Sequence, residues 1–261
     1  MTVLTRPGTT AIAYDRRGSG PALVLLHPLG ADRHVWAPVL DLLASERDVI
    51  ALDLPGFGRS PVLAGDGPPT PRALALAVAE LLVELGLAGR AHVAGSSLGG
   101  WVALELALAR HVRSVTAIAP AGLWPEPLAP RRGLAQLTAK ALLPLLPLLV
   151  RSAGGRRLAL AGSIAHPERV PPAAALRLVR AYALAPGFEE VNAAMRSGRF
   201  AQLDQIRVPL TLGWPEHDRL VGRPRRVPPG ARSVAIPGAG HLPMWDAPEL
   251  VAALLLEGSA G

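Results

Sequence analysis

The stretch Gly95-Ser96-Ser97-Leu98-Gly99 fits the pattern G-x-S-x-G, which sets a serine between two glycines at a tight turn. Ala91-His92-Val93-Ala94 before it reads as a strand, and Gly100 to Arg110 after it reads as a helix. A strand–turn–helix junction of this kind projects the central side chain, so Ser97 is the candidate nucleophile and Ser96 its neighbour. A serine that merely caps the helix is the plain alternative. A neutral hydroxyl needs a base, and the base needs an acid to orient it. His241 follows Gly238-Ala239-Gly240 directly after a strand-like run ending at Ile236. Asp218 follows the run ending at Trp214 by a short loop, Pro215-Glu216-His217, with Glu216 as the rival acid. No carboxylate follows the earlier run at Ala119-Pro120-Ala121-Gly122.

Attack on a carbonyl creates an oxyanion that needs two positioned N–H donors. The backbone amide of Leu98 supplies the first. His27-Pro28-Leu29-Gly30, after the first buried run, offers the amide of Leu29 as the second. His27 itself reads as a structural hydrogen-bonding residue of that loop.

Several elements must hold these residues. Ala22 to His27 is continuously apolar, as in a strand covered on both faces of a parallel sheet. Asp48 to Asp53, Arg90 to Gly95 and Ser114 to Pro120 behave likewise, and Val208 to Trp214 and Ala231 to Ile236 resume the pattern later. Between them lie helical signals. Thr70 and Pro71 open one helix, Gly86 closes it, and Leu74, Val78, Leu81, Leu82 and Leu85 trace its apolar face. Asp246 and Pro248 start a last helix. Alternation of this kind predicts an α/β doubly wound sheet, whose ligands bind outside the carboxyl ends of the strands. The pattern breaks from Gly122 to about Phe200, a leucine-rich, proline-punctuated stretch read as a helical insertion.

Composition narrows the classes. The chain has 261 residues, half of them hydrophobic, enough for one sizeable core. Glycine and proline, 27 each, announce frequent rigid loops. Cysteine is absent, which removes disulfides, a thiol nucleophile and thiolate metal sites. The net charge is +7, and residues 121–200 carry all of the excess, with 11 basic and 4 acidic side chains. No zinc-finger spacing or aromatic-and-basic RNA motif accompanies it, so nucleic acid is not expected as a partner. Gly18-x-Gly20 lacks the third glycine of a dinucleotide fingerprint, and no Walker A loop or His-Glu-x-x-His pair occurs, so no cofactor and no metal are expected. Ala141 to Val150, the greasiest run, is half the length of a spanning helix and holds Pro144 and Pro147, so no transmembrane segment is expected. Met1 to Tyr14 lacks a basic stretch leading into a long apolar run, and a cytoplasmic product is expected.

Taken together, the motifs resemble an α/β-hydrolase with a lid. His27-Pro28-Leu29-Gly30 is similar to the family's His-Gly oxyanion loop, with Pro28 in place of the usual glycine. Asp53-Leu54-Pro55-Gly56-Phe57-Gly58-Arg59-Ser60 resembles its turn motif, where the resemblance makes Asp53 structural. The resemblance implies a core of residues 1–121 and 201–261, a lid of residues 122–200, and a Ser97–His241–Asp218 triad with the Leu29 and Leu98 amides as oxyanion hole. The segment from Asp218 to His241 is short and proline-rich for the family, so the helix found there should shrink to a turn. Serine at the elbow argues against the haloalkane dehalogenase and epoxide hydrolase branches, which carry aspartate there. The implied chemistry is hydrolysis of a carboxylic ester or lactone, with carbon–carbon bond cleavage or acyl transfer by the same triad as the alternative. A non-catalytic ligand receptor is the reading from a different class. The leucines from Leu134 through Leu142, Leu143, Leu145, Leu146, Leu148 and Leu149 are expected to line in part an apolar pocket over Ser97, giving a small-molecule substrate with an apolar portion. Arg131, Arg132, Arg151, Arg156 and Arg157 are expected to favour anionic analogues.

Overall fold

The computed structural model describes residues 2–3, 11–129, 134–224 and 226–260. Arg131 and Arg132 lie outside them, and the side chain of Leu134 is likewise not described. Eight strands form one sheet: β1 (Thr2–Val3), β2 (Ala13–Arg17), β3 (Ala22–Leu26), β4 (Asp48–Leu52), β5 (His92–Ser96), β6 (Ser114–Ile118), β7 (Leu210–Pro215) and β8 (Arg232–Ile236). Their order is β1-β2-β4-β3-β5-β6-β7-β8. The β1–β2 and β2–β4 pairs are antiparallel and all others parallel. The six apolar runs are strands β3 to β8. Strands β3 to β6 are buried at every position, as a sheet covered on both faces requires.

Two layers of helix supply that cover. On one face α2 (Pro71–Glu84) and α3 (Leu98–Leu108) share a core with Val24, Leu52, Val93 and Leu212. On the other, α1 (Ala37–Ala44) and the C-terminal helix share one with Leu23, Leu25, Val49 and Ile236. Helix α2 begins as its sequence predicts: the Thr70 hydroxyl accepts from the Ala73 amide at 3.1 Å, and Pro71 occupies the first turn.

Five helices fill the chain between β6 and β7: α4 (Leu134–Ala141), α5 (Leu146–Leu149), α6 (Ala153–Ala159), α7 (Pro172–Leu184) and α8 (Phe188–Ser197), with no strand among the described residues. The two ends of this stretch meet, since the Phe200 amide donates to the Gly122 carbonyl at 2.8 Å. A second junction is formed by two glycines. The Gly187 amide donates to the Gly56 carbonyl at 2.9 Å, and a Cβ on either residue would sit about 3 Å from the other's backbone.

The expectation for the leucines of this stretch needs correction. Leu146 is buried and Leu143 and Leu149 partly so, in the core layer shared with α1, whereas Leu142, Leu145 and Leu148 face solvent. Pro144 lies in the turn between α4 and α5 and Pro147 in the first turn of α5, so the run is broken and its leucines are divided between the core and solvent. Its arginines are also less free than composition suggests. Arg156 donates to the Val150, Arg151 and Glu168 carbonyls, Arg157 pairs with Glu168, and Arg199 donates to the Pro125 carbonyl.

The last helix differs too. The chain after β8 forms α9 (Pro243–Asp246) and then α10 (Pro248–Gly258), whose N-cap is Ala247, and Asp246 is free for other partners. Between β7 and β8 there is no helix among the described residues, as the short Asp218–His241 segment predicts.

Candidate active site

Ser97 stands at the junction of β5 and α3 with φ 53° and ψ −113°, a conformation that L residues rarely adopt. Three backbone bonds hold it there: the Ser97 amide donates to Ile118, and the Ser97 carbonyl accepts from Trp101 and Ala121. The glycines on either side are required by close approach. A Cβ on Gly95 would overlap the Gly99 carbonyl, and one on Gly99 would overlap the Leu26 carbonyl at the end of β3. The same contact draws the elbow against the loop that follows β3. Although Ser97 occupies the N-cap position of α3, its side chain makes no capping bond, which removes the plain alternative for this serine.

The loop after β3 is rigid. His27 is fully buried; its Nε2 accepts from the Leu54 amide at 2.9 Å, which fixes the proton on Nδ1, and Nδ1 donates to the Pro28 carbonyl at 2.8 Å. Burial lowers the pKa of this imidazole, against the raising influence of Asp53. The His27 ring is therefore a neutral strut. Beyond it, the Ala31 amide donates to the Pro28 carbonyl, closing a turn with Gly30 at φ +75° in the position that a type II turn reserves for glycine. Asp53 ties the loop from beneath, accepting from the Arg33 amide and guanidinium and from the Arg59 amide. Neither the Leu29 nor the Leu98 amide donates to a protein acceptor among the described residues. Both are free to meet a ligand oxygen.

On the far side, His241 and Asp218 meet. His241 Nδ1 lies 2.8 Å from Asp218 Oδ2, with side-chain exposures of 7% and 3%. The other carboxylate oxygen accepts from the Leu220 and Val221 amides at 2.7 and 3.1 Å. Burial pushes the Asp218 carboxyl up, but the His241 bond and charge and the two amides outweigh it, and it is held below the ordinary carboxylate range. An ionised acid facing Nδ1 fixes the proton on that nitrogen and leaves the Nε2 lone pair as a base. Glu216 is engaged elsewhere: exposed, it accepts from the Gly238 amide at 2.9 Å and so braces the histidine loop from outside. Among the described residues the Ser97 hydroxyl makes no hydrogen bond to His241. Such bonds often tighten only when substrate is bound.

One residue of this site was not evident as such in the sequence. Asp246 accepts from the Gly240 amide at 2.8 Å, the Ala165 amide at 2.9 Å and the His166 amide at 2.8 Å. Its carboxylate thus joins the loop carrying His241 to the stretch between α6 and α7, and the Leu242 amide adds a bond to the Ser163 carbonyl. The available signal was an acid five residues beyond the histidine and ahead of a proline, which has the form of an ordinary helix start. Tyr182 and Phe188, packed edge to face at 5.0 Å, cover Gly30 from the same helical stretch. Among the described residues no group of three or more His, Asp or Glu side chains is placed to hold a metal ion.

Comparison with known proteins gives a consistent picture. The sequence profile of the alpha/beta hydrolase family matches residues 23–254. The chain is 44% identical over 103 residues to a pimeloyl-[acyl-carrier protein] methyl ester esterase of Aeromonas hydrophila, a match covering 40% of this chain and 38% of that protein. It is 32% identical over 192 residues to the epoxide hydrolase EphH of Mycobacterium tuberculosis, covering 63% of this chain and 83% of that one. In three dimensions it is similar to a thermophilic esterase from Thermogutta terrifontis, with TM-score 0.73 and 26% identity over 98% of this chain and 95% of that one. The match to the Aeromonas esterase thus spans less than half of that protein's length.

Proposed function

The chain belongs to the alpha/beta hydrolase family and is an enzyme of hydrolase type, and from that premise we propose that it cleaves carboxylic esters or lactones through Ser97, His241 and Asp218. The observation that carries the reading is the enclosed 2.8 Å bond between His241 Nδ1 and Asp218 Oδ2, which makes Nε2 the basic nitrogen. In the proposed reaction Ser97 Oγ attacks the carbonyl carbon and its proton passes to His241 Nε2. The tetrahedral oxyanion is held by the Leu29 and Leu98 amides. His241 then gives the proton to the departing alkoxide, leaving an acyl-serine. Water attacks that ester with His241 as base, and the acid leaves with Ser97 restored.

Residues 122–200 act in this reading as a lid whose α7–α8 side covers the oxyanion loop. The Tyr182 and Phe188 rings support an apolar portion in the substrate. An epoxide hydrolase and a fluoroacetate dehalogenase occur among the relatives. Serine at the elbow, where those branches carry aspartate, favours acyl chemistry over alkyl transfer. The test is labelling by a fluorophosphonate together with turnover of an ester, lactone and thioester series. Ser97→Ala is expected to abolish both, and Ser96→Ala to retain most activity. Equal loss from the two substitutions refutes the assignment.

A further inference from the structure

Of the twelve large hydrophobic side chains exposed among the described residues, four fall within residues 137–148. Leu137, Leu142, Leu145 and Leu148 are 61, 42, 63 and 71% exposed, with Ala141, Pro144 and Pro147 exposed between them. Isolated apolar groups on a surface are ordinary; a clustered patch marks an interaction site. The inner side of the same segment is firmly seated, so its outward face is a fixed feature. Buried Gln136 donates to the Tyr182 and Ala185 carbonyls, and Leu146 and Val150 enter the core.

Two properties select the occupant. Residues 141–150 consist only of alanine, leucine, proline and valine, so no side chain there offers a directional donor or acceptor to a protein partner. The patch is also framed by exposed Lys140 and Arg151, in the stretch that carries the whole +7 excess. A second copy would set like charge against like. An anionic lipid surface answers both features, because acyl chains accept apolar groups without directional demand and headgroup phosphates accept cations. No described helix is long and apolar enough to cross a membrane, which leaves a surface contact.

We propose that the outer face of residues 137–151 docks on anionic phospholipid bilayers, with Leu142, Leu145 and Leu148 entering the acyl boundary and Lys140 and Arg151 at the phosphates. The inference concerns binding and stands apart from the Ser97 reaction. It is tested by sedimenting the full chain with vesicles of phosphatidylcholine alone or mixed with phosphatidylglycerol, at low and high salt. The protein is expected to sediment with the mixed vesicles, and less so with neutral vesicles or added salt. Leu145→Ser with Leu148→Ser is expected to lower the partition coefficient at least about tenfold, and Lys140→Gln or Arg151→Gln about fivefold each. All four side chains are exposed, so the melting temperature should hold; Leu148→Gln alone is the milder variant if it does not. Protein that stays in the supernatant, or binding indifferent to the leucine substitutions, overturns the proposal. So does equal binding to neutral vesicles, or a dimer in solution that the leucine substitutions dissociate without any vesicle binding.

Discussion

Replacing Asp218 by asparagine tests the proposed triad most directly, because the surroundings of the carboxylate dictate how the new amide must sit. Oδ1 accepts from the Leu220 and Val221 amides, and only an oxygen can stay there. A flipped asparagine would aim its NH2 at two backbone donors, losing two bonds at roughly 1–3 kcal/mol each. The carboxamide therefore keeps its oxygen on those amides and turns its NH2 toward His241 Nδ1. That nitrogen must then accept, so the imidazole proton moves to Nε2 and the lone pair that would take the Ser97 proton is gone. A wrong tautomer in otherwise intact geometry costs about 10⁴ in rate, or roughly 5.5 kcal/mol of transition-state stabilisation. Glu216→Gln alters only an exposed brace on Gly238 and should stay within about tenfold of wild type, the order of one surface hydrogen bond. The assay is kcat/KM on an activated ester, with the fluorophosphonate labelling rate as a second readout. Asp218→Asn within tenfold of wild type, or a greater loss in Glu216→Gln, refutes the tautomer argument and with it the choice of acid.

Three other outcomes follow from the same geometry. Gly99→Ala forces a methyl into the Leu26 carbonyl and should yield little folded protein, whereas Gly86→Ala, open around its Cβ though left-handed at φ +69°, should cost only about 1–2 kcal/mol of stability; equal expression and melting temperature would contradict this. Asp246→Ala strands the Gly240, Ala165 and His166 amides and should lower kcat more than it raises KM, with partial rescue by Asp246→Asn, read from steady-state kinetics. His27, held neutral by burial, has a folded pKa below its unfolded value near 6.5, so the stability it secures is complete above that pH and is lost as the pH falls toward the folded value. Denaturant titrations between pH 5 and 8 should show wild type losing stability on acidification by up to about 1.4 kcal/mol per pH unit more than His27→Gln; parallel curves would refute it.

What could be read from the sequence depended on how local the cause was. Strands β3 to β6 were legible because two covering layers bury every position and make apolar residues predominate, and Ser97 because its two glycines stand in one five-residue motif, even though Gly99 answers to the distant Leu26 carbonyl. Strand β2 was not. Its residues Asp15, Arg16 and Arg17 give it a polar exposed end, and it belongs to the sheet through antiparallel pairing with β4, more than thirty residues away. The choice between Asp218 and Glu216 stayed open in the sequence, since two acids in one short loop differ only in which way each one faces. Asp246 was hidden for a related reason: two of its three partners lie about eighty residues earlier. The leucines of the insertion misled because composition reports apolar content and not the direction in which a proline-broken chain presents it.

The paired glycines at 56 and 187 set a mechanical condition on the helical stretch between β6 and β7. Neither residue has an atom left to give up, so a side chain gained at one position has no compensating reduction at the other. Together with the Gly187 amide bond, this sets a close spacing between the start of α8 and the turn at Gly56. Any side chain at either position must part the two backbones, and Phe188, next to Gly187, would be drawn away from Gly30 with them.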